Sequence, residues 1–301
     1  MPRLSRRAFL AQSTIAALAA STALARPIDP IGRTRPSHLK LSLAAYSFRQ
    51  ELDLKAKKMD MFGFLELAAD LGLDAVEPTS YWFPPDADSA YFHRLKQRAF
   101  TLGLDISGTA IANDFCLPAG KKRDEDLAKV RSWIDRAAEL DAPVIRVFGG
   151  TAPKGESEDV TIARAIQGIE SVLPHAADKG VALAVENHGG ITLRPETLLK
   201  LVRGVKAPEG TFGVNLDTGN FHGEDPYADL AKLAPYAINV QVKTEVSRQG
   251  KSKEEADLSK IIALLREAKY SGYVVLEYEA AEDARTAVPR YIKQLRALVN
   301  A

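Results

Sequence analysis

The chain has 301 residues, 46% of them hydrophobic and 26% charged, which is the balance of a globular protein and not of a disordered or fibrous one. Forty Lys and Arg against 39 Asp and Glu leave a net charge of +1, so no electrostatic field argues for a nucleic-acid or membrane partner. The single cysteine, Cys116, excludes an intramolecular disulfide.

Residues 1–25 are read first and set apart from the fold. Arg3, Arg6 and Arg7 form a basic start, Phe9 to Leu24 is mostly apolar and small, and Ala23-Leu24-Ala25 has a small-x-small cleavage pattern. The run Ser5-Arg6-Arg7-Ala8-Phe9-Leu10 resembles a twin-arginine export signal, an address read by the export machinery. The apolar run is shorter than the ~20 residues of a spanning helix, which favours cleavage over a retained anchor. The expectation is an exported, periplasmic protein with no stable membrane insertion after cleavage. Residues 26–38, rich in proline, read as a linker, and 39–301 as one domain.

From residue 39 onward, strand and helix signals alternate without a break. Apolar, β-branched runs occur at Leu39–Phe48, Ala75–Thr79, Asp105–Ala112, Pro143–Gly149, Val181–His188, Phe212–Asn220, Ile238–Thr244 and Tyr273–Glu279. Between them apolar residues recur three and four apart, as in Leu127, Val130, Trp133, Ile134 and Ala137. Gly72, Gly103, Gly180 and Gly272 each follow a helical pattern and precede a strand. Eight strand–helix units predict a single-domain α/β fold, a closed (β/α)8 TIM barrel. An open doubly wound sheet would carry a Gly-rich phosphate turn after its first strand, and Ala45-Tyr46-Ser47-Phe48 is not one.

Barrel active sites form at the carboxyl ends of the strands. The last four strands each end in a polar group: AVENHGG in Glu186, VNLDTGNFH in Asp217, NVQVKTE in Gln241 and VVLEYE in Glu277. Three carboxylates and an amide oxygen aimed at one region would repel one another unless a cation joins them. Hard oxygen donors suit Mn²⁺ or Mg²⁺ better than Zn²⁺. The alternative is that these groups pair with Arg146, Lys243 and backbone amides as ion pairs at the barrel mouth.

In these residues the chain resembles the xylose-isomerase-like TIM-barrel family of sugar phosphate isomerases and epimerases, related to AP endonuclease family 2. The resemblance runs from about Leu39 to Val299. It implies that Glu186 and Glu277 bind a metal and exchange protons with a sugar, with Asp217 as a further ligand. Where the family has histidine on the seventh strand, this chain has Gln241, whose carbonyl oxygen can still coordinate a hard ion. The nuclease relatives hold three zinc ions on many histidines. This chain has five histidines in all, and Asn220 stands where that branch has another.

The implied activity is a metal-dependent sugar isomerase or epimerase that removes a proton next to a carbonyl. Export points to a non-phosphorylated sugar, because sugar phosphates are mainly cytosolic. Two other readings stay open: a lyase or hydratase on keto-sugars or 3-keto-glycosides, and a sugar-binding barrel that has lost its metal. A homo-oligomer is equally compatible with the sequence.

Further residues are expected around the substrate. His188, two residues beyond Glu186, falls on the same side of its strand and either bonds the sugar or packs a loop. Lys243 either stabilises an oxyanion or pairs with Glu277 or Glu279. Glu77 and Arg146 point inward and either form a mutual ion pair or reach the sugar. Trp82, in the aromatic run Tyr81-Trp82-Phe83, can stack on a sugar face, and His222 can line the mouth.

Overall fold

The computed structural model describes residues 26–301 with the exception of Lys57, so the export-signal reading lies outside the described residues. The eight expected strands all form: β1 (Leu39–Ala44), β2 (Ala75–Glu77), β3 (Asp105–Ile106 and Thr109–Ala110), β4 (Val144–Phe148), β5 (Ala182–Glu186), β6 (Phe212–Asp217), β7 (Ala237–Val242) and β8 (Gly272–Leu276). All pair in parallel, each with its chain neighbours, and β8 returns to β1. The ring closes through the two halves of β3, one pairing with β2 and the other with β4. Gly108 sits between these halves. A Cβ there would lie 2.9 Å from Val144 and 3.3 Å from a Glu77 oxygen, so only glycine lets β3 press against the lumen.

Each strand is shorter than its apolar run. The expected first strand, for example, stops at Ala44, and Ala45–Phe48 turns into a 3-10 helix. The residues lost from the strand ends build the loops of the carboxyl face.

The outer helices start on short polar side chains. Asp60, Asp88, Ser157, Asp225, Asp257 and Asp283 each accept from a backbone N–H of the first turn. The helix over Lys121–Leu140 buries Val130, Ile134, Ala137 and Leu140 on one stripe, the face its periodicity predicted. Gly72, Gly103 and Gly180 have φ of 64°, 74° and 69°, the left-handed conformation that ends a helix.

The segment expected as a linker is docked. Arg26–Pro27 pairs antiparallel with Lys206–Ala207, and the Ile31 N–H bonds the Pro235 carbonyl at 2.9 Å. Arg33 donates to the Ala237 carbonyl and lies 5.5 Å from the centroid of the Tyr270 ring. It therefore lines the amino ends of β6 and β7, opposite the catalytic face. Among the described residues no helix is long and apolar enough to cross a membrane.

Candidate active site

Strand alternation in FGVNLD and AINVQV turns Asn215, Asp217, Asn239 and Gln241 into the barrel, where all four are buried. Buried polar groups need partners, and here they find one another. Asn239 donates to a Glu77 oxygen at 2.7 Å and to Asn215 at 2.8 Å. Asn215 donates to Gln241 Oε1 at 2.7 Å, and Gln241 donates to the other Glu77 oxygen at 2.5 Å. Glu77 is the acceptor on which this ladder ends. Burial pushes its carboxyl up to about 7, although the Asn239 and Gln241 bonds pull the other way.

Above the ladder stand two ion-paired clusters. Arg146 on β4 places Nε 2.8 Å from Glu186 Oε2, both side chains almost wholly buried. Its other donors reach the Ile111 carbonyl at 3.0 Å and the Tyr81 hydroxyl at 3.4 Å, and its guanidinium carbon lies 4.1 Å from the Phe148 ring centroid. Asn220 donates to Glu186 Oε1 at 2.9 Å. Burial raises the Glu186 carboxyl to about 7, against the pull of Arg146 and with the added push of Glu277. Burial opposes the charge on Arg146, but Glu186, Tyr81 and Glu277 together outweigh it and hold the guanidinium above its ordinary pKa.

The second cluster centres on Lys243. Its ammonium lies 2.9 Å from Glu279, 3.1 Å from Glu277 and 3.4 Å from Asp217. Burial opposes the charge, but the three carboxylates hold the lysine pKa well above 10.5. Asp217 is fully buried, and that burial raises its carboxyl despite Lys243. One of its oxygens accepts from the Gly219 N–H at 2.8 Å, while Asn187 clamps its backbone N–H at 2.9 Å and carbonyl at 2.8 Å.

A cavity of about 170 Å³ opens onto this cluster, lined by Asn220, His222, Lys243 and Glu279 among others. Larger clefts of about 620 and 850 Å³ lie on the outer helices and at the amino ends of the strands, away from these charges. Tyr46 flanks the cluster, with the Lys243 ammonium 5.6 Å from its ring centroid. Trp82 packs edge-on against Tyr46 at 5.6 Å and Tyr81 at 5.5 Å. His188 sits at the exposed rim, its ring 4.2 Å from that of Phe148. Partial burial, followed by the charges of Arg146 and Lys243, lowers its pKa from the ordinary histidine value.

The arrangement differs from the expected one in two respects. Arg146 pairs with Glu186 and not with Glu77, which is served by amides. Gln241, expected as a metal ligand, spends its oxygen on Asn215 and its amide protons on Glu77. Among the described residues no group of three or more His, Cys, Asp or Glu side chains is placed to hold a metal ion. The residues as arranged do not fit a divalent ion, because a cation already lies within 4 Å of each acid: the Lys243 ammonium is 3.4 Å from Asp217 and 3.1 Å from Glu277, and Arg146 Nε is 2.8 Å from Glu186, although Asp217 Oδ2 and Glu186 Oε2 make no hydrogen bond. Sequence reading passed over Asn215 and Asn239, although the period-two pattern that exposed Asp217 and Gln241 also marks them. Glu279, two residues past Glu277 and so on the same side, is the partner of Lys243 at 2.9 Å and lines the cavity as well.

The sequence profile of the xylose isomerase-like TIM barrel matches residues 65–298, and the chain belongs to that family. Solved structures similar to it include a D-psicose 3-epimerase, 16% identical with a TM-score of 0.68, covering 87% of this chain and 97% of that one. The 3-keto-D-glucoside 4-epimerase of E. coli is 14% identical with a TM-score of 0.63, covering 87% and 99%. A probable 3-DHS dehydratase of Bacillus anthracis is 13% identical with a TM-score of 0.62, again over 87% and 99%. Identities this low establish the shared fold alone. No curated protein matches the chain.

Proposed function

We propose that this protein is a sugar isomerase or epimerase that moves a proton at a carbon next to the carbonyl of a non-phosphorylated sugar. The observation that carries the reading is Glu186. It ends β5 at the carboxyl face, 2.8 Å from Arg146 and 2.9 Å from Asn220, which lines the cavity, and burial raises its carboxyl towards neutrality. A general acid–base is most effective when its pKa lies near the working pH.

In the proposed step the Glu186 carboxylate takes the proton, the C–H electron pair forms the carbon–carbon double bond, and the carbonyl oxygen becomes the enolate oxygen. Lys243 is the donor assigned to that oxygen, because preorganised charge at a developing oxyanion lowers the barrier. Glu277 is the second proton-exchanging group. Proton return to the opposite face gives an epimer; return to the former carbonyl carbon, with the neighbouring hydroxyl proton passing to the former carbonyl oxygen, gives the isomer. His188, His222 and Trp82 are assigned to the sugar hydroxyls and ring face, while Arg146 and Glu77 support the acidic groups from below.

Charge supports a neutral substrate. Burial raises the carboxyls of Glu77, Glu186 and Asp217, and Arg146 and Lys243 are already paired with the acidic groups around them, which leaves no unpaired base to receive a phosphate or carboxylate. The export signal is consistent with a free sugar met outside the cytosol. A second reading is β-elimination or hydration of a keto-sugar, which starts from the same enolate, and the shared fold is found in a probable dehydratase as well as in epimerases.

The test is solvent-deuterium incorporation, followed by NMR, across free and 3-keto sugars with and without added Mn²⁺. Label at the carbon next to the carbonyl, lost in Glu186→Gln, is the expected result. Binding of sugars with neither label nor turnover would leave a non-catalytic sugar-binding barrel.

A further inference from the structure

Metal-dependent enolate chemistry needs a fixed positive charge beside the carbonyl oxygen, and a barrel of this family would take it from a bound ion. Here the place beside that oxygen is already filled. We infer that the Lys243 ammonium is the built-in cation of this site, standing where a divalent metal would and making the site metal-independent.

Three independent observations carry the assignment. The first is position: Asp217 and Glu277, two of the four side chains expected to ligate a metal, both face the ammonium, and Glu279 adds a third carboxylate. An ammonium carries three donors, and Asp217 Oδ2, buried 3.4 Å away, makes no hydrogen bond, which leaves a donor for a substrate oxygen. The second is the lysine's seat. Gly219 lies against the lysine stem, and a Cβ there would come within 2.6 Å of Lys243 Cγ, 2.7 Å of its Cβ and 2.9 Å of the Glu245 carbonyl oxygen. The Lys243 N–H bonds Thr218 Oγ1 at 2.9 Å, and the Thr218 N–H bonds the Gln241 carbonyl at 2.9 Å. The stem is therefore packed into a slot cut for it, not swung in from solvent. The third is that the other two expected ligands are engaged: Glu186 by Arg146 and Asn220, and Gln241 by Glu77 and Asn215. Asn215, Asn239 and Glu77 hold the Gln241 amide below the rim as part of a closed ladder.

The inference rests on the site proposed above but is read without turnover. The EDTA-treated mature protein is titrated with Mn²⁺ and with Mg²⁺ by calorimetry, and its melting temperature is followed with each ion. The expected result is no stoichiometric binding and no melting shift in the wild-type chain. Lys243→Ala, which empties the slot, should gain at least about tenfold in Mn²⁺ affinity as the three carboxylates turn to the ion. Lys243→Met serves the same comparison if the alanine variant does not fold, since its stem fills the slot without a charge or a donor. Tight binding of about one Mn²⁺ per wild-type chain would overturn the inference, as would a folded variant that binds no better than wild type. A sugar panel without turnover would remove the substrate assignment and leave this result standing.

Discussion

Removing Arg146 isolates the central ion pair. In Arg146→Met the Glu186 carboxyl keeps its Asn220 bond at 2.9 Å but loses the guanidinium 2.8 Å away, and the Ile111 carbonyl loses its 3.0 Å donor. Both members of the pair are almost wholly buried. Breaking such a pair from one side costs up to about 3–5 kcal/mol where the carboxyl left behind stays charged, and less where it takes up a proton. At 2–4 °C per kcal/mol for a domain of this size, the melting temperature falls by up to roughly 6–20 °C.

The loss also depends on pH, with a definite sign. Glu186 is held at about 7 against an ordinary 4.5, so its contribution to stability is fully present below 4.5 and is lost as the pH rises through 7. Wild-type stability then levels off with respect to this group. Without Arg146, which opposes the upward shift, the folded carboxyl moves higher still and the variant goes on losing stability above pH 7. The gap between the two proteins should widen above that point at up to about 1.4 kcal/mol per pH unit. Urea unfolding at pH 6, 7, 8 and 9 measures it, and Arg146→Met/Glu186→Gln should abolish the widening. A gap that stays flat from pH 6 to 9, or a total loss under about 1 kcal/mol, would refute the reasoning for a buried charge pair.

Two loop glycines at the carboxyl face give a contrast. Gly190 has φ of 54° and a Cβ there would lie 2.1 Å from the Gly150 carbonyl oxygen, whereas Gly189 has φ of 92° and open space around it. Gly190→Ala should cost about 2–5 kcal/mol from strain plus overpacking, and Gly189→Ala about 1–3 kcal/mol from strain alone. Denaturant midpoints that reverse the order would contradict the packing described. Cys116 is buried with its thiol 3.3 Å from the Gly149 carbonyl, and burial pushes it up to about 12. An aromatic disulfide reagent at pH 8 should therefore label it only after unfolding, and rapid labelling of native protein would show the loop to be open.

The barrel was legible because its signal is local and repeated. Eight apolar runs at βα spacing, with glycines at the helix ends, name the fold whatever the side chains do to one another. Period-two alternation likewise turned Glu186, Asp217, Lys243 and Glu277 to one rim and Gln241 to the layer beneath it. Strand length was less legible, since Ala45–Phe48 and Pro78–Thr79 are as apolar or β-prone as the strands they follow, and only the closing of the ring decides where pairing stops.

The chain by itself determined which polar groups meet at the mouth. It could not determine who neutralises whom, because ion pairing depends on distances between strands that are tens of residues apart in sequence. Only the folded barrel decided that Arg146 turns to Glu186 and leaves Glu77 to two amides. It also decided that the slot opened by Gly219 seats Lys243 among three carboxylates. The physical reason is burial: at a rim closed to water every charge must find a partner within about 4 Å, and the partners available are set by the ring of strands, not by their order along the chain.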